Sequence, residues 1–168
     1  VHRVGWLEPE APIVLVADEG DMPRIATWSR FRTGEGAKFA AACVHLDHIG
    51  VAARENAAGV LARMAEEIAA DGSPCFLLGD FNSHPGQDET HARLLAAGFR
   101  DAWLDAPERL GPEGTWCGFE APDPENARRI DWILARGPAA FEEAETVVRE
   151  RDGRFPSDHF PVRARVRL

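Results

Sequence analysis

Cys75-Phe76-Leu77-Leu78-Gly79-Asp80-Phe81-Asn82 is the stretch on which the fold turns. Its first four residues form a continuous apolar run, the mark of a buried strand. The run ends at a glycine and then delivers two polar side chains. Because side chains alternate along a strand, Asp80 and Asn82 share a face. A carboxylate and an amide oxygen are hard donors, the type that Mg²⁺ or Mn²⁺ takes when most of its shell is water and substrate phosphate. The residues that follow, Ser83-His84-Pro85-Gly86, are turn formers, so the same stretch also reads as an ordinary strand-to-loop junction.

Outward from this stretch, three clusters repeat the theme. Cys43-Val44-His45-Leu46-Asp47-His48 follows the apolar residues 39–42 and precedes Gly50, so it too lies where a buried strand emerges, with His45 and Asp47 facing one way. Arg129-Ile130-Asp131-Trp132-Ile133-Leu134 sets an acid inside a run of β-formers. A buried, unpaired carboxylate is costly, so Asp131 requires a partner. Pro156-Ser157-Asp158-His159-Phe160-Pro161-Val162 places an acid and an imidazole ahead of a strand in which Val162, Ala164, Val166 and Leu168 alternate with arginines. His159 is the natural group to titrate near neutrality.

In this order, H-L-D-H, G-D-F-N, R-I-D-W-I and S-D-H-F-P-V resemble the signature blocks of the endonuclease/exonuclease/phosphatase superfamily. The resemblance runs from about Arg24 to the C-terminus and includes the segments 98–103 and 114–116. It implies an α+β fold, part of a four-layer sandwich of mixed sheets flanked by helices, with the first half of the usual domain missing. Residues 1–168 then read as a single, N-terminally incomplete domain.

The resemblance also implies roles. Asp80 and Asn82 would sit at the metal and scissile phosphate, Asp131 would orient His159 at the reacting phosphorus, and His45 would hydrogen-bond a phosphate oxygen or the leaving group. Asp158 would lie near the metal, which would be Mg²⁺ or Mn²⁺. The family's further metal-binding Glu belongs to the half not seen here. Where relatives commonly read Thr-Phe-His-Gly-Phe, this chain reads Thr115-Trp116-Cys117-Gly118-Phe119. Two more residues are substrate-binding candidates: His48, in the loop after the first cluster, and Arg54, on the buried stripe of the helix that follows. For Arg54 a structural salt bridge with a buried stem is the competing reading.

Composition sets bounds on the partner. A formal charge of −9 over 168 residues argues against a surface that grips duplex DNA, because counterion release needs clustered Lys and Arg. A small or lipid-borne phosphate ester is favoured. The three cysteines, Cys43, Cys75 and Cys117, read as reduced core residues, which suits a reducing compartment such as the cytoplasm. No stretch is long enough to cross a bilayer.

Along the chain, residues 1–21 read as a loop with one short edge strand at 13–17. Strands follow at 24–32 and 38–45, joined by a hairpin turn at 33–36. An amphipathic helix spans about 51–70 with Ala57, Val60, Leu61, Met64, Ala65 and Ile68 as its stripe. A second spans about 89–97, with Ala92, Leu95 and Ala96 inward and His91 exposed. Residues 105–128 read as a long surface loop, and a strand is expected near 146–149. A Ser157-based hydrolase is set aside because neighbours in an extended segment point apart.

These residues support a metal-dependent phosphoesterase. The rival is a non-catalytic module of the same fold. An uncovered apolar sheet face is expected to cause self-association or to receive a partner supplying the missing half.

Overall fold

The computed structural model describes residues 4–9, 11–15 and 23–168. The chain opens with β1 (Val4–Pro9) and β2 (Ile13–Leu15), both paired antiparallel with β3 (Arg24–Thr33). Among the described residues the loop expected for the opening segment is strand at Val4–Pro9, because it finds a partner along β3, and β2 falls within the expected edge strand. The expected strand residues 16–17 lie outside the described residues. A hairpin closed at Gly36, where φ is +94°, leads to β4 (Lys38–His45).

Next come α1 (Val51–Ile68), extended by a 3-10 turn at Ala69–Asp71 that Gly72 closes in the left-handed region, and β5 (Cys75–Asp80). Then follow α2 (Glu89–Ala96), β6 (Arg100–Asp101), α3 (Ala102–Asp105), β7 (Glu108–Leu110), β8 (Asp131–Arg136), β9 (Ala140–Thr146) and β10 (Val162–Arg167). Among the described residues a seven-stranded sheet runs β1-β3-β4-β5-β8-β6 with β2 also on β3, and a three-stranded sheet runs β10-β9-β7.

Two cores follow from the strand alternation. Ala42, Val44, Leu77, Trp132 and Leu134 pack under α1 and α2, against Leu61, Met64, Ala65 and Leu94. The opposite face, with Phe76 and Ala135, packs on α3 and the small sheet through Ala102, Phe141 and Ala144. The expected stripe of α1 is the buried one, Val60 being half-buried.

Four expectations are corrected. Helix α2 buries Thr90, His91 and Leu94, leaving Ala92 and Ala96 exposed, because a buried hydrogen bond of His91 to Asp101 and the larger Leu94 set its orientation. The strand expected near 146–149 ends at Thr146, since pairing with β10 begins there. The long loop at 105–128 carries β7, parallel to β9, and a 3-10 turn at Pro124–Asn126. Cys43 is exposed, whereas Cys75 is buried and its thiol pKa is pushed up to about 11 by burial.

Candidate active site

Register builds the site. β4 and β5 run parallel with His45 opposite Asp80, and β5 and β8 run antiparallel with Asp80 opposite Asp131. Directly opposed residues point to one face, so His45, Asp80 and Asp131 form a row across adjacent strands. The row depends on Gly79, whose φ is +133°. A Cβ there would stand 2.0 Å from the Val44 carbonyl oxygen.

Asp80 Oδ1 accepts the backbone N–H of Asn82 at 2.8 Å, and its Oδ2 lies 3.4 Å from His45 Nε2. Asn82 itself sits in the left-handed region, φ +48°, and its Nδ2 donates to the Leu46 carbonyl at 3.0 Å. That bond leaves the amide oxygen as the hard donor. Burial raises the Asp80 pKa above the ordinary carboxylate value, and the charge of Asp131 adds to it, against the Asn82 hydrogen bond and the two histidines.

His159 Nδ1 donates to Asp131 Oδ2 at 2.8 Å, which fixes the tautomer and turns Nε2 away from the acid. Burial opposes the charged imidazole, but the hydrogen bond and charge of Asp131, with the charges of Asp80 and Asp158, outweigh it and raise the His159 pKa. Asp158 reaches this cluster through its charge. Its carboxylate bonds Ser157, and its carbonyl accepts from Cys117 and Gly118.

Two expected residues stand elsewhere. Arg54 is 2% exposed, and its Nε and Nη2 both donate to Asp88 Oδ2, at 2.9 and 2.8 Å, while Nη1 takes the Asp47 carbonyl. It is a structural arginine, tying α1 to the N-cap of α2, and not a substrate contact. His48 is exposed and shares a 3.2 Å contact with Arg24 Nη2. His91 is buried against Trp132 and bonds Asp101, which Arg129 also bonds.

Sequence reading missed two residues that hold the site. Thr115, fully buried, accepts through Oγ1 from the backbone N–H of Ile130 and Asp131, both at 3.0 Å, and through its carbonyl from Phe160. It thereby joins the segments carrying Asp131 and His159. His84 Nδ1 accepts from the Arg129 N–H at 3.1 Å, joining the loop after Asn82 to the start of β8. The local signal was slight in both cases, a threonine beside Gly114 and a histidine inside the turn Ser83–Gly86.

The donor chemistry suits a divalent cation. Asp80 and Asn82 offer hard oxygens, and a cation would relieve the repulsion between Asp80 and Asp131. Among the described residues no three His, Cys, Asp or Glu side chains could cage an ion by themselves, so water and phosphate oxygens would complete the shell.

The model of the Endonuclease/Exonuclease/phosphatase family matches residues 13–159. No curated protein matches the chain in sequence. Among solved structures, a conserved protein of unknown function from Enterococcus faecalis is 30% identical with a TM-score of 0.86, over 98% of this chain and 67% of its own. An endonuclease/exonuclease/phosphatase from Bacteroides vulgatus is 26% identical at TM-score 0.86, over 98% and 66%. A mannosyl-6-phosphatase from Bacteroides thetaiotaomicron, 23% identical at TM-score 0.86 over 98% and 67%, shares the fold. The chain thus spans about two-thirds of the length of these proteins.

Proposed function

The chain belongs to the endonuclease/exonuclease/phosphatase family, and from that premise we propose that it hydrolyses a phosphate ester, mono- or diester, by attack of water at phosphorus. The family includes phosphatases and nucleases. The observation that carries the reading is the 2.8 Å His159–Asp131 hydrogen bond, which joins His159 to the His45–Asp80–Asp131 row.

Asp80 and Asn82 would hold Mg²⁺ or Mn²⁺, and Asp158 stands beside His159 as a further acid. Such an ion, when bound, neutralises charge on the phosphoryl oxygens. Asp80 orients the attacking water by accepting a hydrogen bond from it. His159, whose charged form Asp131 favours, stabilises the negative charge that grows at phosphorus and gives its proton to the departing oxygen. His45, 61% exposed at the rim, donates to a phosphate oxygen. Asp131 keeps the imidazole oriented throughout.

The test is hydrolysis of bis-p-nitrophenyl phosphate and p-nitrophenyl phosphate with Mg²⁺ or Mn²⁺. Asp80→Ala and His159→Ala are each expected to lower kcat about a hundredfold or more, at unchanged circular dichroism. Full turnover in both variants would overturn the assignment.

A second reading, a binding module without turnover, is favoured by the want of a three-residue metal cage among the described residues. It predicts no heat on titration with Mn²⁺.

A further inference from the structure

One pocket beside His159 is not used by the chemistry above. Trp116 forms antiparallel bridges with both His159 and Arg128. Opposed residues share a face, so His159, Trp116 and Arg128 lie in that order along one side of the sheet-like segment. Trp116 is therefore the side chain next to His159 along this face. Thr115, on the opposite side of the backbone, is fully buried, whereas Trp116 is 41% exposed.

The pocket at Trp116 has a volume of about 390 Å³, within the range of small-molecule sites, and its polar lining includes Glu120, Asp123, Asn126 and Arg128. Several of its parts are held in place. The Arg128 guanidinium stacks 5.5 Å from the Trp116 ring centre, and no carboxylate lies within salt-bridge distance of it among the described residues. Asn126 Nδ2 donates to Asp123 Oδ2 at 2.6 Å, which leaves the Asn126 amide oxygen as its open end. Gly118, at φ +60°, keeps the ring edge clear: a Cβ there would press to 3.3 Å from the indole. Phe119 follows at φ +68°, a conformation that side chains seldom adopt and that concentrates at ligand sites.

The chemistry of this lining selects its occupant. An aromatic floor offers a flat apolar surface, the carboxylates and the amide oxygen accept hydrogen bonds, and the guanidinium donates them. Hydroxyl groups satisfy both kinds, since each donates and accepts. A polyanion does not fit: Glu120 and Asp123 outnumber Arg128 in the pocket, and the whole chain carries −9.

We propose that this pocket is the leaving-group subsite and that it takes a neutral, hydroxyl-rich ring, so that the ester cleaved is a small sugar phosphate and not a nucleic acid. The inference rests on the phosphoesterase reading. In the step, the water oxygen bonds to phosphorus and the phosphorus–oxygen bond to the sugar breaks, its electron pair staying on the sugar oxygen. That oxygen takes the His159 proton and leaves as a hydroxyl, and the proton released by water restores the imidazolium.

The test follows the Trp116 indole ¹⁵N–¹H signal, assigned with Trp116→Phe, during titration with glucose 6-phosphate, glucose 1-phosphate, AMP and inorganic phosphate. A saturable shift with a hexose phosphate that inorganic phosphate does not reproduce is expected. In steady-state assays Asn126→Ala should raise KM for the hexose phosphate about tenfold and KM for p-nitrophenyl phosphate, whose leaving group carries no sugar hydroxyls, by much less. No shift with either hexose phosphate, a tighter response to AMP, or an equal KM change for both substrates would overturn the subsite. Loss of all turnover would instead sink the phosphoesterase reading, and the indole titration would still decide what the pocket binds.

Discussion

Asp80 works against the fold that holds it. Its carboxylate is partly buried and faces Asp131, and both raise its pKa, so the ionised form costs stability. The sign is the reverse of a salt-bridged acid. The cost is present above the raised folded-state pKa, shrinks as pH falls through it and is gone below the ordinary value of 3.8. Asp80→Asn keeps the shape and removes the charge. With chelator present, the variant is expected to melt at a higher temperature than the parent at pH 7, and the gap should close in acid, while hydrolysis falls about a hundredfold or more. A lower melting temperature at pH 7 would mean that Asp80 is paired more strongly than its surroundings indicate. Asp101 is the opposite case. Burial raises its pKa, but His91 and Arg129 overcome this and lower it, so its contribution is present above the ordinary carboxylate value and lost as pH falls through the lowered one.

At the scale of elements, the site is the meeting of strand ends braced by helices that never touch substrate. Asp88 is the main brace. It caps α2 through Thr90, takes the Ser83 hydroxyl from the loop after Asn82, and receives two bonds from Arg54 on α1. Its several donors lower its pKa in spite of burial. Arg54→Met removes the guanidinium but keeps most of the buried stem, leaving the acid without its cation. Breaking a buried pair on one side costs about 3–5 kcal/mol, and chemical denaturation should read a loss of that order. Below the new midpoint, kcat/KM of the folded fraction should stay within about twofold of the parent. A large rise in KM without loss of stability would return Arg54 to the substrate.

For the whole molecule, the unanswered surface is an apolar groove of about 490 Å³ between the large sheet and β10, lined by Phe39, Phe76, Leu78, Ile133, Val166 and Leu168. The small sheet covers part of this face and leaves the rest open. Apolar contact and a net charge of −9 pull association in opposite directions. Sedimentation is expected to show self-association that grows with protein concentration and with added salt, which screens the repulsion and leaves the apolar term intact. A monomer at every salt concentration would show that the groove is too small or too shallow to pair. No described helix is long and apolar enough to cross a membrane.

What the sequence by itself determined is local and periodic. The apolar run ending at Gly79, the stripe of α1, the alternation of β10 and the four motif blocks all state what a segment is and which side of it is polar. The resemblance of those blocks to a known family added the expectation that His45, Asp80, Asn82, Asp131 and His159 act as one group. Tertiary structure alone decided which residues stand opposite one another: His45 with Asp80, Asp80 with Asp131, and Trp116 with both His159 and Arg128. It also chose the partners of buried polar side chains, sending Arg54 to Asp88 and His91 to Asp101, and so turned α2 to a face its alanines did not indicate. The physical reason is range. Periodicity is written in neighbouring residues, whereas a buried arginine or histidine must be satisfied by whatever acid the packed chain brings to it, and that acid can lie tens of residues away.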